Sequence, residues 1–351
     1  MSNVYFSKIF SKDTIVKLAE KSGINSLISK NDFVAIKIHF GEKENLGYIK
    51  PEYVKPVVEI IKSLGGKPFL TDANTIYKGS RANAVDHLNT AISHGFGQCG
   101  CPIIIADGLR GNSYVEVDVN LKHFKKVKIA RDIYYADKFI FLTHFKGHEI
   151  SGFGGAIKNV GMGCGARSGK YEMHNAIKPN TISEKCIGCS DCIKWCPSNA
   201  LQLSNKKIII NKGICVGCGE CMLSCEQYAI KIPWDESTKN AQEKIVEYAV
   251  GILKNLHNSE TGKKAIYINF LNYITKFCDC YQTKENPLIE DVGILASCDP
   301  VAIDTASVKL INKKFGSDLF KKIFPEIDWS VQLEYAEKLG LGEKKYQLVE
   351  I

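Results

Sequence analysis

The chain has 351 residues, of which 45% are hydrophobic and 24% are charged, and its formal net charge is +8. These values are ordinary for a globular protein, and the length suffices for two domains or for one large α/β domain with an insert. No apolar run approaches the roughly 20 residues of a membrane span, and residues 1–6 lack the basic and apolar regions of a signal peptide. The 14 cysteines, without a secretory signal, predict a cytoplasmic protein in a reducing compartment, with cysteines that bind metal.

The positive charge gives little support for a nucleic-acid partner. The one basic cluster lacks the interleaved aromatic residues or the reading helix of such proteins, and it consists of Lys122, Lys125, Lys126, Lys128 and Arg131. Such a cluster is usually a solvated face, and its functional alternative is a docking surface for an acidic, soluble redox partner protein. We therefore expect neither nucleic acid nor a membrane span.

Strand and helix patterns alternate along most of the chain. The predicted strands are residues 4–9, 33–39, 67–71, 102–106, 115–119, 126–130, 138–142, 264–269, 291–296 and 346–351. The predicted helices are residues 13–21, 51–64, 82–93, 241–256, 299–314 and 333–339, with Ser11 or Asp13 capping the first and Asp299 capping the fifth. This alternation predicts an α/β fold with a parallel or mixed sheet that is covered by helices.

Two cysteine runs with the same spacing dominate the middle of the chain. Each follows the C-x2-C-x2-C-x3-C pattern of bacterial two-cluster ferredoxins, in which the fourth cysteine ligates the other cluster. One [4Fe-4S] cluster is assigned to Cys186, Cys189, Cys192 and Cys225, and the second to Cys215, Cys218, Cys221 and Cys196. Zinc and disulfides are the alternatives, but zinc sites use paired C-x2-C units and disulfides would strain at this spacing.

The cysteine runs lie in a segment with a pattern of its own. Residues 180–233 are predicted to form an α+β ferredoxin-like domain, in which residues 200–203 and 208–210 form a hairpin. The α/β pattern occupies residues 1–179 and resumes over residues 234–351. The simplest architecture is one α/β domain with an inserted ferredoxin-like domain, and the alternative is three consecutive domains.

A second informative stretch, residues 144–169, is rich in glycine. Gly152, Gly154 and Gly155 allow the backbone to approach a cofactor closely, and successive N–H groups beside a helix N-terminus form a nest for an anion. Neither a Walker loop nor a Rossmann fingerprint is present. A flexible surface loop is the alternative, but loops this long in a compact domain are usually functional.

Three side chains in and after this stretch are of types that serve in catalysis or bind a metal. A desolvated lysine becomes nucleophilic, and a neutral imidazole is a common ligand of nickel, zinc and iron. We therefore expect Lys158 and His148 to be catalytic and His174 to bind a metal, with all three in one pocket. The pocket would bind a further metal or organic cofactor, or an anionic small-molecule substrate.

Polar residues that end predicted parallel strands are expected to face the same pocket. Asp72, Asn74 and Asp107 hold such positions, and ligands of α/β sheets bind at the carboxyl ends of the strands. We therefore expect these three residues to bind a cofactor. Turn and cap chemistry, which aspartate and asparagine also favour, is the alternative.

The whole chain resembles DUF362, an iron–sulfur family classified as a domain of unknown function, with a bacterial-type two-[4Fe-4S] ferredoxin domain. Besides the glycine-rich stretch and the cysteine runs, the resemblance rests on Lys37-Ile-His-Phe-Gly-Glu42, Thr71-Asp-Ala-Asn-Thr-Ile-Tyr77 with Arg81, Ala106-Asp-Gly108, and Gly293-Ile-Leu-Ala-Ser-Cys-Asp-Pro-Val-Ala-Ile-Asp304. It extends over nearly the full length and implies clusters without implying an activity.

The segment His148-Glu-Ile-Ser-Gly-Phe-Gly-Gly-Ala-Ile-Lys158, followed by His174, is also similar to the core of the lactate racemase family. That resemblance covers roughly the first half of the chain. It implies that Lys158 tethers a pyridinium-derived nickel pincer cofactor, that His174 ligates the nickel and that His148 is an acid/base. Where that family has a histidine–arginine pair after its second strand, this chain reads Asp72-Ala-Asn-Thr-Ile-Tyr77.

Six cysteines lie outside the two runs, namely Cys99, Cys101, Cys164, Cys278, Cys280 and Cys298. Cys278 and Cys280 are spaced to clasp a soft metal, with Cys298 or Cys164 completing the site. Buried free thiols are the alternative for all six. The remaining histidines with no informative neighbours are His87, His94, His123 and His257.

The cysteine runs and the predicted pocket lead to three functional hypotheses. The first is an iron–sulfur protein, an oxidoreductase if it is an enzyme, whose clusters pass single electrons between a partner protein and the pocket. The second is an electron-relay module that docks partners without catalysis of its own. The third is a lactate-racemase-like enzyme with a nickel cofactor tethered to Lys158.

Overall fold

A computed structural model describes residues 1–175, 178–231, 236–256, 265–281 and 284–351, without the side chains of residues 254–256. His257, the boundary between residues 233 and 234, and the first residue of the predicted strand 264–269 lie outside the described residues. None of the helices within these ranges is both long and apolar enough to cross a membrane.

The strands, in chain order, are β1 (Ser2–Ser7), β2 (Phe33–Lys37), β3 (Lys67–Asp72), β4 (Ile103–Ile105), β5 (Tyr114–Asp118), β6 (Lys126–Ala130), β7 (Lys138–His144), β8 (Lys146–His148), β9 (Gly152–Gly154), β10 (Asn180–Thr181), β11 (Leu201–Ser204), β12 (Lys207–Ile210), β13 (Ile230–Lys231), β14 (Ala265–Leu271), β15 (Gly293–Ser297) and β16 (Tyr346–Glu350). Most predicted strands are found within two or three residues of their predicted positions.

The helices are α1 (Lys12–Lys21), α2 (Ile24–Leu27), α3 (Pro51–Ser63), α4 (Ala84–Ser93), α5 (Arg131–Tyr134), α6 (Ala156–Cys164), α7 (Arg167–His174), α8 (Asp191–Lys194), α9 (Glu220–Ser224), α10 (Thr238–Leu256), α11 (Pro300–Phe315), α12 (Leu319–Ile323) and α13 (Ser330–Lys338). The predicted caps are confirmed. The Ser11 hydroxyl accepts a hydrogen bond from the Thr14 N–H, and the Asp299 carboxylate accepts two from the first turn of α11.

Eight strands form one sheet in the order β16-β1-β15-β14-β7-β2-β3-β4. Strands β14, β7, β2, β3 and β4 pair in parallel, whereas β15 is antiparallel to both of its neighbours. The predicted α/β fold with a mixed sheet is confirmed. Strands from before and after residues 180–231 share this sheet, and the division of the chain into domains stays a prediction.

Each face of the sheet buries its own apolar core, as the two-residue period of a strand requires. In β7, Phe139 and Phe141 belong to a core that includes residues of α6, α10 and α11, and they stack at 5.6 Å between ring centroids. Ile140 and Leu142 belong to the opposite core, with residues of α1, α3 and α4. The continuous apolar pattern that predicted a doubly covered strand is therefore explained.

The glycine-rich stretch is largely buried, so its interpretation as an exposed, flexible loop is wrong. Residues 144–169 contain the end of β7, the antiparallel pair of β8 with β9, and helix α6. Phe145 and Phe153 stack at 4.9 Å within the core. At Gly152, where φ is +75°, an added Cβ would lie 2.5 Å from the Cβ of Trp329. The glycines here allow close packing as well as turns, and composition alone does not distinguish the two.

Residues 180–231 carry short elements around the cysteine runs. Strands β11 and β12 form the predicted hairpin, and β10 pairs with β13. This unit docks on the α/β part through Arg167 of α7, which is buried and forms an ion pair with Glu220 of α9. Arg110 approaches the same carboxylate at 3.2 Å.

The predicted basic cluster is partly neutralised within the chain. Lys122 forms an ion pair with Glu243 at 2.5 Å, and Lys128 forms one with Glu172. With Lys126, which lies 3.9 Å from Glu116, three of its five cations have carboxylate partners within the chain.

Candidate functional site

A cavity with a volume of about 870 Å³ lies at the carboxyl ends of β2, β3 and β7. His39, Asp72 and His144 line it at or just beyond those strand ends, and Cys280 lines it from the segment between β14 and β15. The carboxyl ends of parallel strands are the usual binding position in α/β sheets. The sheet therefore gathers side chains that are remote in sequence into one compartment.

The three predicted site residues His148, Lys158 and His174 all line this cavity. His148 is the last residue of β8, Lys158 lies in the first turns of α6, and His174 ends α7. Within the described parts of the chain, Lys158 makes no hydrogen bond or ion pair, although its charge acts on both histidines. Gly154 and Gly155 also line the cavity.

Both histidines of this group are neutral at physiological pH. Burial, together with the nearby Lys158 and His174 side chains, lowers the pKa of His148 well below its usual value. Burial and Lys158 lower the pKa of His174 to about 3. The His148 Nδ1 accepts hydrogen bonds from the backbone N–H groups of Ile150 and Ser151, each at 3.3 Å. Its Nε2 therefore carries the proton in the neutral tautomer.

Asp72 is committed to a buried ionic network at the cavity wall. Its carboxylate lies 2.9 Å from the Lys37 ammonium, 3.2 Å from the Arg81 guanidinium and 3.6 Å from the His87 ring. Burial alone would raise the pKa of Asp72, but Lys37 and His87 hold it well below the usual range. His87, which had no informative neighbours in the sequence, belongs to this network.

The other two predicted strand-end residues, Asn74 and Asp107, are not among those that line the cavity. They bind each other instead, since the Asn74 side-chain amide donates to the Asp107 carboxylate at 2.7 Å. The backbone N–H of Arg167 donates to the second oxygen of Asp107 at 3.2 Å. Their geometry matches the turn and cap alternative, and their assignment to cofactor binding stays a prediction without support from this geometry.

The predicted anion nest at the start of α6 is filled by the chain itself. The Asp304 carboxylate accepts hydrogen bonds from the N–H groups of Ala156 at 2.7 Å and Ile157 at 2.9 Å. A Cβ on Gly155 would lie 2.4 Å from that carboxylate. The expectation of a nest open to a ligand is therefore wrong at this helix end, because a buried side chain occupies its donors.

The eight cysteines of the two runs gather into two neighbouring groups. Cys192 lies within electrostatic range of Cys186, Cys189 and Cys225. Cys221 lies within range of Cys215, Cys218 and Cys196, and also of Cys192 in the first group. A small, mostly apolar cavity is lined by all four members of the first group. The fourth cysteine of each run therefore lies near thiols of the other run, and the assignment of the eight thiols to two clusters stays a prediction.

A single metal ion has no ready site among the described residues, which include no group of three or more His, Cys, Asp or Glu side chains placed to hold one. Ligands of one ion converge on a point, whereas ligands of a four-iron cluster surround a larger body. This finding does not separate zinc from a cluster, so both assignments of the two groups stay predictions.

Sequence interpretation missed the environment of Cys280. The His39 Nε2 lies 3.4 Å from the Cys280 Sγ, and Tyr77, Arg81 and Cys278 line the same cavity. The Cys278 thiol, His39 and Arg81 hold the pKa of Cys280 well below its usual value, against the effect of burial. The only signal was the pair Cys278-Asp-Cys280 itself, because its partners come from distant strand ends.

Solved structures with some likeness to this chain include the lactate racemase apoprotein of Thermoanaerobacterium thermosaccharolyticum, with a TM-score of 0.43 and 12% identity. A crystal structure of a protein from Thermotoga maritima has a TM-score of 0.43 and 10% identity. The likeness covers 88% and 87% of this chain but only 57% and 58% of the other two. At this identity and TM-score, the likeness to these two structures says nothing about the activity of this chain.

No curated protein matches this chain in sequence. The family described as "Domain of unknown function (DUF362)" matches residues 34–309. That range contains the strand ends, the glycine-rich stretch and both cysteine runs, which are the features that build the cavity and the two thiol groups. The predicted family is confirmed, and the chain belongs to DUF362.

Proposed function

We propose that this protein is an iron–sulfur electron-transfer protein that binds two [4Fe-4S] clusters and serves the cavity around His148, Lys158 and His174. The observation that carries the proposal is the crossed arrangement of the cysteine groups. In two-cluster ferredoxins the fourth cysteine of each run ligates the cluster of the other run. Such clusters, when bound, exchange one electron each.

The surroundings of the thiols fit iron–sulfur clusters. The backbone N–H of Ala200 donates to the Cys196 Sγ at 3.2 Å, and the N–H of Ala229 donates to the Cys225 Sγ at 3.3 Å. The same interaction thus recurs at the same position of both runs. Hydrogen bonds to cluster sulfurs are one of the means by which a protein sets the reduction potential.

A short segment after β3 connects the two sites. Ile76 and Tyr77 pack in the apolar core that contains the cluster cysteines, and both also line the cavity. Lys78 donates a hydrogen bond to the carbonyl oxygen of Cys225 at 2.6 Å. The cluster-binding unit and the cavity are therefore separated by little more than one layer of side chains, which favours electron transfer to the cavity over a relay between two partner proteins.

The cavity suits an anionic small molecule. Its lining includes six cationic side chains of lysine and arginine but only four carboxylates. Lys158 has no internal partner among the described residues, so its ammonium is available to a ligand. An attractive potential in a recessed site raises the local concentration of oppositely charged ligands.

Metal analysis of anaerobically purified protein tests the proposal. We expect about eight iron and eight acid-labile sulfide per chain. Cys186→Ser should lower the content of one cluster, whereas Cys164→Ser, which changes a buried thiol outside both groups, should leave it unchanged. Stoichiometric zinc without sulfide would refute the proposal. If the clusters are present but cannot be oxidised by any compound that enters the cavity, the relay hypothesis takes its place.

A second candidate function is a lactate-racemase-like enzyme with a nickel cofactor tethered to Lys158, as the sequence resemblance implies. The observation that favours it is the convergence of Lys158, His148 and His174 on one cavity. The lysine would hold the cofactor, His174 would ligate its metal and His148 would exchange a proton. Intact-mass measurement decides, since added mass that disappears in Lys158→Arg supports a tethered group and unmodified protein argues against it.

A further inference from the structure

The turn that carries Cys278 and Cys280 is held rigidly at the cavity wall. Between them, the Asp279 carboxylate lies 2.8 Å from the His144 Nδ1 and 3.3 Å from the Lys146 ammonium. Its carbonyl oxygen accepts a hydrogen bond from the Glu42 N–H at 3.0 Å. This buried anchoring has no role in the proposed cluster sites, and it fixes the position of the two thiols on either side.

The two thiols lie together but differ in access. The backbone N–H of Cys280 donates to the Cys278 Sγ at 3.4 Å. Cys278 is 4% exposed, whereas Cys280 is more accessible and meets the His39 ring. The positive charge of Arg81 also acts on Cys280. A partly accessible thiol near a cation, with a second, more buried thiol next to it, is the arrangement of redox-active cysteine pairs.

A matched pair elsewhere in the chain lacks these features. Cys99 and Cys101 have the same spacing but do not line the cavity. Burial raises the pKa of each of them to about 11, and the Cys99 thiol donates a hydrogen bond to the carbonyl oxygen of Pro51 at 3.8 Å. Spacing alone therefore does not create the reactive environment of Cys280.

The soft-metal site predicted for Cys278 and Cys280 finds no support. Neither Cys164 nor Cys298 lines the cavity, and both lie near Tyr267 in another part of the core. The described residues also include no three-ligand set. These contacts favour a metal-free dithiol as the state of Cys278 and Cys280.

We propose that Cys278 and Cys280 form a redox-active dithiol at the cavity wall that reduces a small organic disulfide carrying anionic groups. The Cys280 thiolate attacks one sulfur of the substrate, a mixed disulfide forms and the other half leaves as a thiolate, which takes up a proton. Cys278 then loses its proton and attacks the Cys280 sulfur, so that the Cys278–Cys280 disulfide forms and the second half leaves as a thiolate.

Regeneration of the dithiol takes two electrons and up to two protons. The regeneration step rests on the proposed function, because two one-electron clusters together supply the required pair of electrons. Tyr77 connects the two sites, since it packs in the core around the cluster cysteines and its hydroxyl group interacts with Cys280. The cationic surplus in the lining selects the charge of the substrate.

The test uses full-length, anaerobically purified protein and two disulfides of similar size and opposite charge, 3,3′-dithiodipropionate and cystamine. After acid quenching and alkylation, peptide masses should show the Cys278–Cys280 disulfide, while Cys99 and Cys101 remain alkylated thiols. The dianionic probe should react at least about 10-fold faster than the dicationic one. Charged clefts raise the association rates of ligands of opposite charge by about 10- to 1,000-fold. Cys278→Ser should trap half of the probe on Cys280, and Cys280→Ser should trap none.

The outcomes separate the two proposals. If residues 278 and 280 stay alkylated, or if Cys99 and Cys101 oxidise equally fast, the dithiol inference is overturned even when iron and sulfide are present. If the disulfide forms and Cys278→Ser traps the probe in protein without iron, the inference stands and the cluster proposal fails. Loss of the cluster-reduced spectrum on addition of probe, absent in Cys280→Ser, would support both.

Discussion

The ammonium of Lys78 donates a hydrogen bond to the carbonyl oxygen of Cys225 at 2.6 Å. The same lysine lies 4.1 Å from the centroid of the Tyr228 ring. Lys78 also lines the large cavity and follows Tyr77, which faces Cys280. One short segment therefore contacts both the second cysteine run and the candidate chemical site.

Two lysines of the cavity should respond differently to substitution. Lys37 is 1% exposed and paired with Asp72, so Lys37→Ala leaves a buried carboxylate with one cation fewer and should cost about 3 kcal/mol. Lys158 has no such partner in the described chain, so Lys158→Ala should change the free energy of unfolding by less than about 0.5 kcal/mol. Urea unfolding of both variants measures the difference, and an equal loss would show that Lys158 has a structural partner.

Asp304 should make stability depend on pH. Burial raises the pKa of this carboxyl from 3.8 to about 6. The folded state then holds the proton more tightly than the unfolded state, so the contribution is complete below pH 3.8 and is lost as pH rises through about 6. Relative to Asp304→Asn, which does not titrate, the wild-type protein should lose about 2 kcal/mol of unfolding free energy between pH 4 and pH 7. A difference that stays constant across this range would contradict the shift.

Thiol reactivity should distinguish Cys280 from the cysteines that are merely buried. Its pKa lies well below the usual value, whereas the pKa of Cys99 is about 11. Since the thiolate is the nucleophile, Cys280 should react with iodoacetamide at pH 7 at least about 10-fold faster than Cys99 does. His39→Asn should slow the Cys280 reaction and leave Cys99 unchanged, as followed by peptide masses over time. Equal rates at the two thiols would contradict the role of His39.

The buried pair of Arg167 and Glu220 should hold the cysteine-rich unit against the sheet. Arg167→Ala removes the main partner of a carboxylate that is 2% exposed, so it should cost about 3–5 kcal/mol. Replacement of both residues by leucine should cost less, because no buried charge is then left unpaired. Denaturant unfolding gives both values, and iron content reports whether the clusters survive. If the double variant costs as much as the two single changes together, the pair does not couple.

The sequence by itself determined the regular secondary structure of this protein. Continuous apolar runs and helix caps predicted the strands and helices of the sheet, because local periodicity reflects burial directly. The cysteine spacing predicts two groups of four thiols, and Cys192 and Cys221 each lie near the other members of their predicted group. The convergence of His148, Lys158 and His174 was also expected from their spacing around the glycines.

Only the tertiary structure decided what each polar residue contacts. Asp304 fills a helix end that is remote in sequence, and Asn74 binds Asp107 instead of facing the cavity. Cys280 acquires its environment from His39 and Tyr77, which follow β2 and β3 and are remote from it in the chain. The order of the strands in the sheet sets such contacts. That order depends on which apolar faces pack together, and no local sequence pattern contains this information. That is why the cysteine grouping could be read from spacing while the partners of the cavity residues could not.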